Sequence, residues 1–460
     1  MASQAIQLSP LNAETRPLTM AIPRPQPSIQ LQKDTIVNGV YLTVFTSLLT
    51  ISYIWFVVPV YGSMGFRIDI NYLKIVEAVG LLFISYLAIH RQQSALSGKF
   101  LGLFYLFVFP STLAYYFLTD FPRAHIYIFV SGFITTVLAL NISRNTLTMS
   151  RDIIQRSYSY RVLNLATALL AIRNWGLWAI LVGNTIGAIG LLAAFNGPPT
   201  LTALNLSRVY EVREALVYGS AVTPYLVIWQ ANVINPTLVA LGVYRRRYVL
   251  VATGALLQLV VFLYTGNRAM LFSTAFLLLV YILVSNDALF LGLLKTFIGT
   301  SLLGLSLYFT VGHTHFPSLF IRRVFFVPPQ IRSSYFDFFS TNPNIMMSGT
   351  SIRFLFPSSY TESAASLIGE YYLDGAYANI GFITSAYADF GITGVLIFAI
   401  LAGVVLSTID VLGEALPPAV VAGIWTLPVY NFDSSRLSTT ILTHGILLSM
   451  IVTALLRQRE

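Results

Sequence analysis

Hydrophobic runs of about 20 residues, each closed by a short polar or basic turn, repeat along most of this chain. A helix that crosses ~30 Å of hydrocarbon at ~1.5 Å per residue needs about 20 apolar residues, and its backbone must bond within itself because lipid offers no partners. The runs predict twelve spans, at about 36–60, 72–90, 100–118, 124–142, 174–195, 215–242, 248–265, 269–285, 288–310, 390–409, 415–430 and 437–456. The fifth and the eleventh have the least distinct ends. Between the fourth and fifth, Arg151, Arg156 and Arg161 alternate with Ile153, Ile154, Val162 and Leu163, the pattern of a helix lying in the interface. Inside the sixth run, WQANVINP at 229–236 is polar and broken by Pro236. Two readings fit it: a kink whose freed carbonyls neighbouring helices satisfy, which is the simpler, or a break that lines a cavity.

The pattern fails in two places. Residues 1–35 carry Pro10, Pro17, Pro23, Pro25 and Pro27 with no apolar period and read as a disordered tail, without the pattern of a cleavable signal peptide. Residues 311–391 are too polar, too aromatic and too rich in arginine to lie in hydrocarbon, and 311–377 are expected to form one large loop. Within it, Ser318 can cap a short helix carrying Arg322 and Arg323 that Pro328 and Pro329 end. A second helix from about Gln330 would place Arg332 and Tyr335 on one face. A third, capped by Ser359 or Thr361 and ending at Gly375, would carry Glu362, Ser366 and Gly369 along one side.

Composition sharpens the class. At 460 residues the length alone suggests two or three soluble domains, but 56% hydrophobic and only 10% charged residues, with a mean hydropathy of +0.73, indicate one polytopic, all-α integral membrane domain over 36–460. The absence of cysteine excludes disulfides, cysteine-ligated zinc and thiol catalysis. A net charge of +9 would suggest nucleic acid in a soluble protein, but here the basic residues are dispersed between spans, so no nucleic-acid partner is implied. Alternate turns are basic: Arg91 with Lys99, then Arg144, Arg151, Arg156 and Arg161, then Arg245, Arg246 and Arg247, then Arg457 and Arg459. With Arg16, Arg24 and Lys33 before the first span, the positive-inside rule puts both termini in the cytoplasm and 311–377 outside, together with 196–214 and the TGNR turn at 265–268.

That topology leaves charges it does not explain. Arg208, Arg213, Arg268, Arg322, Arg323, Arg332, Arg353 and Arg436 run against the expected bias, with no lysine among them. A guanidinium is always charged and its planar fork grips phosphate or carboxylate with two bonds, so the set suits a lipid-linked phosphate or pyrophosphate. The competing reading pairs them with Glu211, Glu214, Asp337, Glu362, Glu370, Asp374 and Asp433, or with lipid headgroups. Phe320, Phe325, Phe326, Tyr335, Phe336, Phe338 and Phe339 read first as interfacial anchors and second as a platform for sugar. In ANIGFITSAYADFGITG, at 378–394, small residues let backbones approach, while Asn379 and Asp389 need partners near the interface.

The order of ANVINP, a basic turn, TGNRAMLFS, then RRVFFVPPQIRSSYFDFF, IGEYY and ANIGFITSAYADFG resembles the Wzy-type O-antigen polymerases, over roughly residues 215–400. The resemblance implies a lipid-dependent, GT-C-like glycosyltransferase of the bacterial inner membrane. Such an enzyme joins undecaprenyl-pyrophosphate-linked oligosaccharide units on the periplasmic face, among membrane lipids and with a partner that regulates chain length. Carried over, it makes Arg268, Arg322 and Arg332 candidates for pyrophosphate contact and puts Tyr335, Gly369, Tyr371, Asn379 and Gly381 in the site region; Arg208, Arg213, Arg323 and Arg353 complete the candidate substrate-binding set. The last motif departs from the family form, with Thr384 where an acidic residue is common and Asp389 where an asparagine is.

The implied chemistry is attack of an acceptor sugar hydroxyl on the anomeric carbon of a glycan held by lipid pyrophosphate. The leaving group is good, so the protein must supply positioning, a cation for the departing pyrophosphate and a base. Glu362 is the first candidate for the base, with Glu370, Asp389 and His313 behind it; equally, Glu362 could pair with Arg322 or Arg353. His313 and His315 lack a third metal ligand, and His444 in the last run reads as a bonded core residue. A ligase would share the pyrophosphate site. A flippase or solute transporter would instead show charges at the bilayer midplane and broken helices in two related halves. No cofactor is implied. The outer segments contain no Asp-x-Asp or adjacent carboxylate pair, so transfer is expected to be metal independent; complete loss of product in chelator, restored by magnesium or manganese, would overturn this.

Overall fold

The computed structural model describes residues 27–157, 163–350, 353–356 and 358–457. Every regular element among them is a helix. Among the described residues eleven helices are long and apolar enough to span a membrane; the first five are α1 (Asp34–Met64), α2 (Tyr72–His90), α3 (Leu96–Leu118), α4 (Arg123–Ser157, spanning as far as Thr146) and α5 (Leu163–Asn196, spanning from Gly176). After a short α6 (Val209–Ala215) come α7 (Thr223–Tyr244), α8 (Tyr248–Thr265), α9 (Arg268–Ser285) and α10 (Leu289–Val311). Two non-spanning helices follow, α11 (residues 318–341) and α12 (Ala364–Tyr372). The chain closes with α13 (Phe382–Gly413), the short α14 (Pro418–Tyr430) and α15 (Leu437–Arg457).

Several boundaries differ from expectation for identifiable reasons. The helix that carries α1 begins at Pro27, inside the stretch read as tail. Proline is well suited to a first helical turn, where its missing N–H has no partner to lose. Residues 1–26, Arg161, Val162 and Arg459 lie outside the described residues. The segment expected as a separate interfacial helix continues α4 through Ser157, since no Gly or Pro lies between Leu140 and Ser157 to stop it. The eleventh expected span, α14, has only 13 residues, about 20 Å of helix. It nevertheless runs from the end that holds Asp410 and Val411 to the end that holds Phe432, and it can be this short because Ala419 through Val429 are all buried in protein.

Ties between turns sort them into two ends. At one, Lys99 bonds Asp287 at 2.5 Å, Arg457 donates to Val411 O at 2.9 Å, and Ser97 N donates to Asp410 at 2.9 Å. At the other, Gln330 reaches Met64 O at 2.7 Å, Arg268 reaches Leu206 O at 2.6 Å, and Phe382 N reaches Phe432 O at 3.0 Å. This second end carries the large insertion and is called the loop end. It is not free of lysine: Lys74 is buried there, donating to Thr119 O and Phe121 O, with Arg67 and Arg123 nearby in sequence.

The core forms around α3, whose apolar window is wholly buried and which touches α1, α2, α10, α11, α13 and α14. Close crossing of α4 and α13 adds a second seam. A Cβ on Gly403 would sit 2.7 Å from Ala139 Cβ, Leu140 N and Thr136 O, so only glycine permits that approach.

Among the described residues α1 winds as a π-turn at Tyr53–Val57, and three further spanning helices are interrupted where other protein segments repair the break. In α7, Gln230–Ile234 winds as a π-turn. Its amides sit in one directed chain: Asn184 to Gln230 at 2.9 Å, Gln230 to Asn235 at 2.7 Å, Asn235 to Gln258 at 2.8 Å, Gln258 to Ser273 at 2.7 Å. All four bonds are buried, which is the kink reading rather than the cavity reading. In α13, Phe390 and Gly391 leave helical geometry, Gly391 at φ +63°. The carbonyls so freed are met by Asn344 Nδ2 on Tyr387 O at 3.0 Å, Ile345 N on Ala388 O at 2.8 Å and Met346 N on Asp389 O at 3.3 Å. In α15, the break at residues 443–445 is met by Trp229 Nε1 on Leu442 O at 2.8 Å and Asn232 Nδ2 on His444 O at 3.3 Å.

The insertion folds onto the loop end. α11 starts as a π-helical stretch, Ser318–Phe326, and continues as regular α-helix from Val327 to Thr341. Ser318 therefore does not cap it; its Oγ accepts from Arg322 Nε at 3.2 Å. Pro328 and Pro329 open the regular part instead of ending the first, because a first turn has N–H groups to spare. α12 is capped by Ser363, whose Oγ accepts from Ser366 N at 3.1 Å, and not by Ser359 or Thr361; it stops at Tyr372, short of Gly375.

The crossing yields a prediction. Gly403→Val should force α4 and α13 apart, with an overpacking cost of about 1–3 kcal/mol. A fall in the unfolding midpoint of detergent-purified protein checks it; unchanged stability would show that the seam yields freely.

Candidate functional site

The loop end holds a cavity of about 310 Å³ between the insertion, the start of α13 and the first turns of α15. Hydroxyls of Thr350, Ser363, Ser385, Ser435, Ser438 and Thr439 line it, with Asn379 and the rings of Tyr225, Tyr335 and Tyr377. Among the described residues, Arg436 is the sole charged one in its lining. The elements that build the cleft are those whose interruptions were described: the α15 break brings Ser435 to Thr443 to one wall, and residues 344–350, bound to the α13 kink, form another.

Arg436 is placed by the kink. Its Nη1 donates to Ser348 O at 3.2 Å, and its Nη2 lies 3.4 Å from Asp389 Oδ1. Asp389 is buried, and the same Oδ1 accepts from Met347 N at 3.0 Å. The carboxylate thus holds the arginine and the 346–348 backbone together from behind the cleft wall, a positioning role rather than that of an exposed base. The sequence reading had placed Arg436 only among the outer arginines. What could have singled it out is its position, between DSS and LSTT, in a turn dense in hydroxyls.

Of the other candidates, Tyr335 and Asn379 line the cleft; the Tyr335 hydroxyl donates to Ala378 O at 2.9 Å, and burial pushes its pKa well up. Glu362, Glu370 and Tyr371 lie on a separate surface groove with Ser359, Tyr360 and Thr361. Neither Arg322 nor Arg353 pairs with Glu362 among the described residues. Arg353 is exposed in a single helical turn. His313 is exposed, its ring 5.8 Å from that of His315.

The arginines have three distinct fates. Arg208 and Arg332 follow the pairing alternative: Arg208 bonds Glu211 at 2.7 Å on the surface, and Arg332 bonds Asp433 at 2.8 Å in the interior. Arg332 is 1% exposed, also donates to Thr112 Oγ1 at 2.5 Å, and stacks over Phe129. It is a buried structural cation and not an open pyrophosphate ligand, because each terminal nitrogen of its fork is already engaged. Burial raises Asp433 to about 6 despite that arginine, and lowers Arg332. Arg322 is buried over the Tyr61 ring at 4.3 Å, and desolvation, then Arg323, lowers its pKa.

Arg213, Arg268 and Arg323 converge on Tyr210. Arg323 Nη2 donates to its hydroxyl at 2.9 Å, while Arg268 and Arg213 stand over the ring at 5.5 and 5.3 Å. No carboxylate pairs with these three among the described residues. The hydrogen bond from Arg323 lowers the Tyr210 pKa, and the charges of all three act in the same direction. Three guanidinium groups without a counter-charge form an anion-attracting surface at the loop end. Arg268 belongs to this cluster and not to the cleft lining.

The fold and these sites define an all-helical, multi-pass membrane protein. Comparison of the chain with protein-family models, with curated proteins and with solved structures finds no match.

If Arg332 is structural, Arg332→Leu should strand the Asp433 carboxyl and destabilise the protein by about 3–5 kcal/mol, and Arg332→Leu with Asp433→Leu should restore much of that. Thermal unfolding of the single and double variants measures it. The pH dependence has a defined sign. The folded chain keeps the Asp433 proton up to about pH 6, against an ordinary value of 3.8, so the Asp433 contribution is greatest below pH 3.8 and is lost as pH rises through about 6. Asp433→Asn should flatten stability across that window.

Proposed function

We propose that this protein polymerises undecaprenyl-pyrophosphate-linked oligosaccharide units on the outer face of a bacterial inner membrane. The observation that carries the reading is the cleft: many hydroxyls and one amide, suited to hydrogen bonding a sugar, around a single guanidinium suited to the phosphate beside it. The carboxylate-free cluster at Tyr210 supports it, as a second place where the same end favours anions. Orientation follows the charge bias. The turns at the opposite end carry Arg91, Arg144 and Arg245 to Arg247, which favours a cytoplasmic placement for that end and an external one for the cleft.

In this mechanism the acceptor hydroxyl attacks the anomeric carbon of the donor glycan, and the bond to the pyrophosphate oxygen breaks with its electron pair. Arg436 neutralises the charge that develops on the departing oxygen, and Asp389 with Ser348 O keeps its fork aimed. The lining hydroxyls and Asn379 orient the sugars, which removes much of the entropic barrier. A ligase would use the same cleft with a different acceptor. A transporter reading gains the interrupted helices, but their freed carbonyls are met by protein groups around this cleft and do not coordinate a midplane site.

Purified protein supplied with a lipid-pyrophosphate-linked repeat unit should produce a ladder of lengths. Arg436→Ala should lower the rate by about 10²–10³, the cost of losing a preorganised donor, with unfolding temperature and elution volume close to wild type. Single transfer to a different acceptor would favour a ligase, and a folded Arg436→Ala protein with the wild-type ladder would remove the arginine from the mechanism.

A further inference from the structure

Ser435 of the cleft wall and His444 behind it form a pair whose proton chemistry the reaction just described does not use. Ser435 Oγ lies 2.7 Å from His444 Nε2, across the interruption of α15. Ser435 faces the cleft beside Arg436. His444 sits behind it and is held at both backbone ends, its N–H on Thr439 O at 3.0 Å and its carbonyl under Asn232 Nδ2 at 3.3 Å. Its Nδ1 is buried without a partner. The break in the helix accounts for this geometry: the turn at 443–445 swings the imidazole back toward residue 435, nine positions earlier, which no continuous helix could bring within bonding distance.

We propose that Ser435 and His444 form the proton relay for the acceptor hydroxyl. Ser435 touches the acceptor, and His444 acts through Ser435 as the positioning residue that takes up the proton. This rests on the glycan-transfer reading. The carboxylates first considered for the base are elsewhere: Glu362 and Glu370 lie on the separate groove, and Asp389 is engaged by Arg436 and Met347 N. No carboxylate bonds His444, so nothing biases the imidazole toward its cation before substrate arrives.

The step balances without a co-reactant. The acceptor hydroxyl gives its proton to Ser435 Oγ as Ser435 gives its own to His444 Nε2. The acceptor oxygen bonds the anomeric carbon, and the bond from that carbon to the pyrophosphate oxygen breaks, its electron pair leaving with the lipid pyrophosphate next to Arg436. The imidazolium then returns its proton through Ser435 to water. The side chain that meets sugar is thus a neutral hydroxyl, and the base stays out of the path of an anionic donor.

A serine hydroxyl polarised by histidine is a nucleophile toward an alkyl fluorophosphonate, whatever the natural substrate. The full-length protein, purified in detergent, is treated with that probe and the modified residue is located by mass spectrometry. Wild type should be modified at Ser435, with at least a tenfold lower rate in His444→Ala and in His444→Gln. The glutamine variant keeps a polar group near Ser435 but cannot take the proton, so a merely structural histidine would leave labelling intact there. Absence of label on Ser435 in folded wild type, or undiminished label in folded His444→Gln, overturns the relay. The same preparations are given the lipid-pyrophosphate-linked unit. A wild-type ladder whose rate is unchanged in Ser435→Ala overturns the relay and leaves the polymerase reading standing. Label that depends on His444 in a protein that builds no ladder supports the activated pair and overturns the polymerase reading.

Discussion

A broken helix inside a membrane protein must find new partners for every carbonyl the break releases, and that requirement organises this molecule. Besides the π-turn of α1, three spans are interrupted among the described residues. The π-turn of α7 and the break in α15 face one another, and Trp229 and Asn232 of the first supply donors to Leu442 O and His444 O of the second. The kink of α13 recruits the backbone of residues 344–346 instead. Because each repair draws in a segment from elsewhere, the α15 break and the 344–350 segment bound to the α13 kink meet at the cleft, while the α7 turn backs the α15 break without lining it.

The same logic explains why so much polar side chain is tolerated here. The amide chain from Asn184 to Ser273 runs donor to acceptor without a reversal, so each buried group is matched, and a matched network holds helices α5, α7, α8 and α9 in one register. By contrast, Arg436 is incompletely matched, its Nη2 lacking a hydrogen bond and only ion-paired to Asp389 at 3.4 Å. A cation held in place yet not saturated is the condition a ligand-binding guanidinium needs. Arg332 differs in that both its terminal nitrogens are engaged, by Thr112 and Asp433, although its buried Nε has no partner.

Charge therefore has to be read in context. Eight arginines at the loop end looked alike in sequence. In the fold, Arg208 and Arg332 are ion-paired with Glu211 and Asp433, three surround Tyr210 without a carboxylate, and Arg436, ion-paired with Asp389, lines the cleft. Of the remaining two, Arg322 is buried on Tyr61 and Arg353 is exposed. The presence of Lys74 at the same end also shows that the set is not exclusively guanidinium; its ammonium is consumed by two carbonyls at a helix terminus.

Hydrophobic periodicity by itself determined the all-helical, multi-pass character and the position of the insertion, because the length of a spanning run is imposed by the bilayer and not by any contact between helices. It also located two weak points, WQANVINP for α7 and the short run for α14, but not the kink of α13 at Phe390 and Gly391. Only tertiary structure decided which polar groups meet. Ser435 and His444 look unrelated in the chain until the α15 break folds one back on the other, and Glu362 looks like a base until the fold places it in another groove. Local pattern records how far each segment runs and what it can bury. The partner that completes a polar group comes from a different helix, and one segment read alone carries no trace of it.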